Sequence, residues 1–182
     1  MVATMRPKGT VFETGLRRLV GMLPQDCLVI EVGSYAGEST EIFLERARHV
    51  ICVDRWEPYD EITAEGLKPL DAAEAEAAFD AMAAKHLGRI SKIKKHSAAA
   101  VLTYCNDLLA TKADAVYLDA RHDENSVMYD IALWLPYVAK GGFICGHDYG
   151  MGFHVGVKKA VDEIFCKPDM VFEDTSWLVK KE

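Results

Sequence analysis

Short runs of β-branched and aliphatic residues alternate along this chain with stretches whose apolar residues return at helical spacing, and few folds accept that alternation. Leu16, Leu19, Val20 and Leu23 predict a helix over 11–23, ended by Pro24. Cys27-Leu-Val-Ile-Glu-Val then reads as a strand covered on both faces, as in parallel sheets. After Gly33 and Gly37 a helix is expected to about Ala47, followed by a buried strand, His49-Val-Ile-Cys-Val. Downstream, Ala75, Phe79, Met82, Ala83 and His86 mark a helix face, and Arg89-Ile-Ser-Lys-Ile-Lys a third, more polar strand. Val101, Leu102, Cys105, Leu108 and Leu109 make the next stripe, before a fourth strand, Ala113-Asp-Ala-Val-Tyr-Leu. Met128, Ile131, Leu135 and Val138 predict a helix stopped by Gly141-Gly142, Phe143-Ile-Cys-Gly a fifth strand, and Val157, Ala160, Val161, Ile164 and Phe165 a last helix.

The C-terminal end differs. Met170-Val-Phe-Glu and Ser176-Trp-Leu-Val-Lys are joined by Asp174 and Thr175 alone, too little chain for a parallel crossover but enough for a hairpin. The pattern therefore predicts a three-layer α/β sandwich whose mostly parallel sheet carries an antiparallel C-terminal strand. With 182 residues and no linker or repeat, a single domain over 1–182 is expected, with residues 1–10 disordered.

A net charge of −7 opposes a surface built to neutralise phosphates, so nucleic acid is not an expected partner. No apolar run is long enough to span a bilayer, and no signal-like segment opens the chain, so a cytoplasmic protein without a membrane partner is expected. The five cysteines are scattered, with no paired spacing for zinc or redox work, and read as buried thiols.

In open α/β sheets ligands bind beyond the carboxyl ends of the strands. That rule selects Glu31 and Gly33, Asp54, His96 and Ser97, Asp119 and His122, and His147 and Asp148. The turn Glu31-Val-Gly-Ser-Tyr-Ala-Gly37 can bring backbone close to a ligand, and Asp54, 21 residues after Gly33, is placed to bind a ribose diol. The dinucleotide fingerprint would want glycine where Tyr35 stands, and Glu31 would favour a cationic or amine-bearing ligand, which points away from NAD.

The same turn resembles motif I of the class I S-adenosylmethionine-dependent methyltransferases. The similarity continues through Phe79, Gly88-Arg-Ile, Ser97, Tyr117-Leu-Asp-Ala-Arg-His122, Asp130-Ile-Ala-Leu-Trp134, Gly141-Gly142 and Gly146-His-Asp-Tyr149, covering roughly residues 10–180. It is closest in kind to a bacterial branch similar to macrocin-type and catechol-type O-methyltransferases. The resemblance implies a Rossmann-like, seven-stranded sheet with a reversed final strand, and S-adenosylmethionine as cofactor. It places Glu31, Gly33, Ser34, Tyr35 and Gly37 at the methionine moiety, Asp54 with Arg55 at the ribose, His96 and Ser97 beside the adenine, and Asp119 at the cofactor edge. Relatives often carry an acid where this chain has His96.

By the same resemblance Asp119 and Asp148 would hold a divalent metal such as Mg, although His147 stands where metal-dependent relatives often have an acid. The metal-free alternative uses His147 or His122 as the base for an acceptor hydroxyl, near Asp148. Trp134 and Tyr129 read as core or interface aromatics, and the segment from Trp56 to Asp71 as an acceptor-facing lid or a plain connection. The expected activity is methyl transfer to a hydroxyl of a small-molecule acceptor, a sugar or natural product, in a chain that can form a homodimer. The alternatives are a nicotinamide-dependent oxidoreductase and a noncatalytic S-adenosylmethionine-binding protein.

Overall fold

The computed structural model describes residues 6–57, 72–107, 111–150, 152 and 154–182. The lid reading of residues 58–71 and the two leucines at 108 and 109 lie outside the described residues. In chain order the elements are α1 (Val11–Met22), β1 (Cys27–Val32), α2 (Glu38–Phe43), β2 (Ala47–Asp54), α3 (Ala72–Ala83) and β3 (Ile90–Lys94). They continue with α4 (Ser97–Asp107), β4 (Ala113–Leu118), α5 (Glu124–Trp134), β5 (Val138–Gly146), α6 (Val155–Phe165), β6 (Met170–Val171) and β7 (Trp177–Lys180).

The seven strands form one sheet in the order β3-β2-β1-β4-β5-β7-β6. β1 to β5 are parallel, and β7 runs antiparallel to both β5 and β6. All six residues of β1 are buried, because helices cover both faces of the strand. On one face Val29, Cys52 and Tyr117 pack with Leu16, Phe43 and Phe79 of α1 to α3; on the other Ile30, Val53 and Val116 meet Tyr104, Trp134, Ile131 and Val161 of α4 to α6. The sheet reverses its order between β1 and β4, the crevice where such folds bind ligands.

Several boundaries differ from the sequence reading. The helix expected to reach Ala47 stops at Phe43, and Ala47 opens β2 instead, since its partner in register is Cys27 of β1. α5 ends at Trp134, where Pro136 enforces a 3₁₀ turn over Leu135–Tyr137, and Val138 begins a nine-residue β5 paired with Ala113. The helical stripe at 101–105 is shifted: Ala100, Val101 and Tyr104 are buried while Leu102 is exposed. Within 1–10, the described part is tied down, with Thr10 N donating to Pro7 O and the Arg6 side chain buried. Of the cysteines, Cys27, Cys52 and Cys145 are buried as expected, and Cys166 is exposed. Trp134 is core and Tyr129 is exposed.

Candidate active site

The turn after β1 is held by its neighbours before any ligand is considered. Gly33 N donates to Val53 O at 2.8 Å, and Gly37 N donates to Ser34 O at 2.8 Å. Gly33 has φ +97°, and a Cβ there would lie 2.0 Å from the Asp119 carbonyl oxygen. Glycine is thus demanded by the approach of β4 as well as by the turn. Tyr35 takes a left-handed conformation, φ +44°, and its amide donates to Asp54 Oδ2 at 2.9 Å.

Asp54 accepts a second bond, from Trp56 N to Oδ1 at 2.8 Å, while Trp56 Nε1 donates to Tyr35 O. The acid therefore ties the end of β2 to the glycine turn, and its remaining lone pairs can accept from a further donor. Arg55 and His96 both face Glu57 Oε2, at 3.9 and 3.8 Å, across an exposed surface where such pairs contribute little. Ser97 is drawn elsewhere: its Oγ accepts from Trp134 Nε1 at 2.8 Å and bears on the buried Asp130, whose carboxyl is pushed up to about 6 by burial against the pull of Ser97.

Glu31 points into the interior between β1, α2 and β2. Its Oε2 accepts from Thr40 Oγ1, and burial raises its carboxyl above the usual range against the pull, chiefly, of the Ser39 and Thr40 hydroxyls. Glu31 Oε1 and Ser34 Oγ, both buried, have no hydrogen-bond partner among the described residues. A buried polar atom without a partner is costly, so this corner of the turn suits an amine-bearing ligand such as S-adenosylmethionine.

The second half of the edge lies beyond β4 and β5. Asp148 has φ +62° and is buried, with Oδ2 2.9 Å from His122 Nε2 and Oδ1 3.1 Å from His147 Nδ1. Burial alone would raise its carboxyl, but the hydrogen bonds from His122 and His147 hold it well below the usual range. Burial opposes the charged form of His147, yet Asp148 and Asp119 win and raise it above its ordinary value. The His122 and His154 rings lie 4.0 Å apart. The structure thus brings His122, His147, Asp148 and Asp119 together, and sets Gly33 of the turn against the Asp119 backbone, with Asp54 bound to the turn from the end of β2.

Two residues in this cluster were missed from sequence, Arg6 and Asp174. Arg6 Nη2 donates to Asp119 Oδ2 at 2.8 Å and to the Tyr117 hydroxyl at 3.0 Å, and Arg6 Nη1 lies 3.6 Å from the buried Asp174 Oδ2. Neither carries a periodic or spacing signal. Asp174 looks like an ordinary hairpin residue, and the hairpin is wider than the expected two-residue link because Phe172 pairs with Ser176.

The residues do not fit the magnesium site that Asp119 and Asp148 would make. Magnesium takes oxygen ligands in near-octahedral array, whereas Arg6 occupies Asp119 Oδ2 and both Asp148 oxygens face imidazole nitrogens. Asp119, His147 and Asp148, and likewise His122, Asp148 and His154, bring ligating atoms within 4.8 Å of one another, but both sets include imidazole and are built around the same Asp148 oxygens.

A family model described as a methyltransferase domain matches residues 30–149, about two thirds of the chain, running from β1 to the residues just past β5. Among solved structures, the TDP-rhamnose 3'-O-methyltransferase of calicheamicin biosynthesis superposes with a TM-score of 0.61 at 12% identity, over 93% of this chain and 76% of that one. The O-methyltransferase NovP gives a TM-score of 0.58 at 17% identity, over 93% and 78% of the two chains. An rRNA methylase from Streptococcus thermophilus gives 0.60 at 12% identity, over 97% and 99%. At such identities the likeness is one of fold. No curated protein matches the sequence. Motif, sheet order and family match agree, and the chain belongs to the methyltransferase-domain family of the class I, Rossmann-like S-adenosylmethionine-dependent methyltransferases.

Proposed function

We propose that this enzyme transfers a methyl group from S-adenosylmethionine to a hydroxyl of a small molecule, with a sugar or natural-product scaffold as acceptor. The observation that carries the reading is Asp148 held between two imidazoles just past β5, in the same sheet whose neighbouring strands β1 and β2 run into the glycine turn and Asp54. S-Adenosylmethionine supplies an electrophilic methyl on a sulfonium; the chain's task is to align an oxygen with it and remove a proton. Glu31 and Ser34 bind the amino-acid end, Asp54 the ribose diol, and His96 borders the adenine, the Ser97 hydroxyl being taken up by Trp134 and Asp130.

His122 is the base. Its Nε2 is fixed on Asp148 Oδ2, which orients the ring, and the nitrogen turned away from Asp148 takes the acceptor proton. His147 is less suited, because carboxylates flank both its nitrogens, Asp148 at 3.1 Å and Asp174 at 3.8 Å, and favour its charged form. It serves as a fixed positive neighbour that keeps Asp148 ionised. The chain's charge of −7 favours a small acceptor over the RNA acted on by some proteins of this fold.

Calorimetric titration with S-adenosylmethionine tests the cofactor. Micromolar binding by wild type, weakened by about tenfold in Asp54→Asn, supports the reading. No binding by the folded wild type refutes it, and NADH is then the ligand to try. A screen of nucleotide sugars and hydroxylated aromatics with methyl-labelled cofactor tests the acceptor. Turnover that disappears in His122→Gln while cofactor binding persists supports the base assignment. Turnover unchanged in that variant refutes it, and cofactor binding with no turnover on any hydroxyl acceptor favours a noncatalytic binding protein.

A further inference from the structure

The three buried or half-buried carboxylates of the reaction edge, Asp119, Asp148 and Asp174, converge on cations that belong to the chain itself. One of them comes from an unexpected place, the segment before α1. Arg6 is 7% exposed at its side chain, and its guanidinium spans Asp119 at 2.8 Å, the Tyr117 hydroxyl at 3.0 Å, Phe12 O at 3.3 Å and Asp174 at 3.6 Å. Its main-chain amide donates to Glu38 Oε2 at 3.2 Å, which pins the segment to the start of α2. Asp174 in turn is fixed by Ser176, through N at 3.1 Å and Oγ at 2.7 Å, and sits against α1 where a Cβ on Gly15 would come 2.2 Å from Asp174 Oδ1. Glycine inside a helix costs stability, so this close approach is bought at a local loss.

We propose that Arg6 is the resident cation of this site, occupying the carboxylate that an oxygen-seeking divalent ion would need, so that methyl transfer here requires no such ion. The guanidinium cannot lose its proton, so the positive charge beside Asp119 is permanent. A divalent ion brought to Asp119 and Asp148 would have to displace this bond and would then sit beside a like charge in a site screened from water. Arg6 acts through Asp119 and is a positioning residue: it fixes the carboxylate that faces His122 Nε2 at 3.8 Å, and with Asp148 on the same nitrogen it sets the orientation of the ring that acts as base. The proposal rests on the methyl-transfer reading for what it says of turnover, but not for what it says of ion binding.

The test titrates Mg²⁺ and Ca²⁺ into chelator-treated full-length protein by calorimetry. Wild type and Arg6→Lys, which both keep a cation beside Asp119, are expected to show no binding below the millimolar range. Arg6→Ala and Arg6→Gln release Asp119 and remove the like charge beside it, and are expected to bind at least about tenfold more tightly than wild type, with the gain abolished by adding Asp119→Asn. Submillimolar binding by wild type overturns the proposal, as does a folded Arg6→Ala or Arg6→Gln that binds no more tightly than wild type. Should the alanine variant fail to fold, the glutamine variant, which keeps the stem and a hydrogen-bond donor, carries the comparison. S-Adenosylmethionine is titrated into the same wild-type sample; its failure to bind would sink the methyltransferase reading and leave the ion result standing.

Discussion

Replacing Asp130 with asparagine is expected to stabilise the protein at neutral pH, by an amount set by burial. Asp130 lies on α5 with 7% of its surface exposed, and its carboxyl is pushed from 3.8 to about 6, burial outweighing the pull of the Ser97 hydroxyl. Folding must therefore take a carboxylate that is ionised in the unfolded chain and favour its protonated form. Between about pH 4 and pH 6 the native state binds more protons than the unfolded one, so stability falls as pH rises through that window and the full penalty persists above it. At about 1.4 kcal/mol per pH unit the penalty is on the order of 3 kcal/mol at pH 7. Asparagine carries no charge to desolvate and keeps a carbonyl oxygen for Ser97. Urea unfolding of wild type and Asp130→Asn, followed by tryptophan fluorescence at several pH values, reads the difference directly. Titrations common to both proteins cancel in it. The difference should be near zero at pH 4, grow to about 3 kcal/mol by pH 7 and then level off. A difference independent of pH, or a variant less stable than wild type at pH 7, would refute the reasoning.

Two further outcomes follow from the same edge. Gly33→Ala meets both a left-handed backbone and the Asp119 carbonyl at 2.0 Å, so it should lose more than the roughly 1–2 kcal/mol of the backbone cost alone and bind cofactor poorly; denaturant midpoint and calorimetry check this. The raised His147 contributes stability that is present below its ordinary pKa and lost as pH rises through its folded one, so an NMR titration should place its ring above the usual histidine range in wild type and lower in Asp148→Asn.

Most of the architecture was legible because burial writes itself into period. β1 is continuous and aliphatic as both its faces are covered, and Leu16, Leu19 and Val20 repeat at helical spacing as only one face of α1 meets the sheet. Element ends were less legible where pairing overrode local pattern: Ala47 and Val138 suit a helix by spacing but are strand residues because Cys27 and Ala113 lie opposite them. The candidate site divides in the same way. Gly33, Asp54, Asp119, His122, His147 and Asp148 could be found because a strand end is recognisable in sequence and the parallel fold sends all such ends to one edge.

Sequence alone therefore determined the layered fold, the reversed last strand and which edge carries the polar groups. Tertiary structure decided which of those groups are committed to one another. Ser97 belongs to Trp134 and Asp130, Glu31 to Thr40, and Asp119 to Arg6, pairings that span 37, 9 and 113 residues of chain. A hydrogen bond between side chains so far apart leaves no periodicity behind. Its partners are chosen by the packing of helices and strands between them, and by the cost of leaving any buried charge alone.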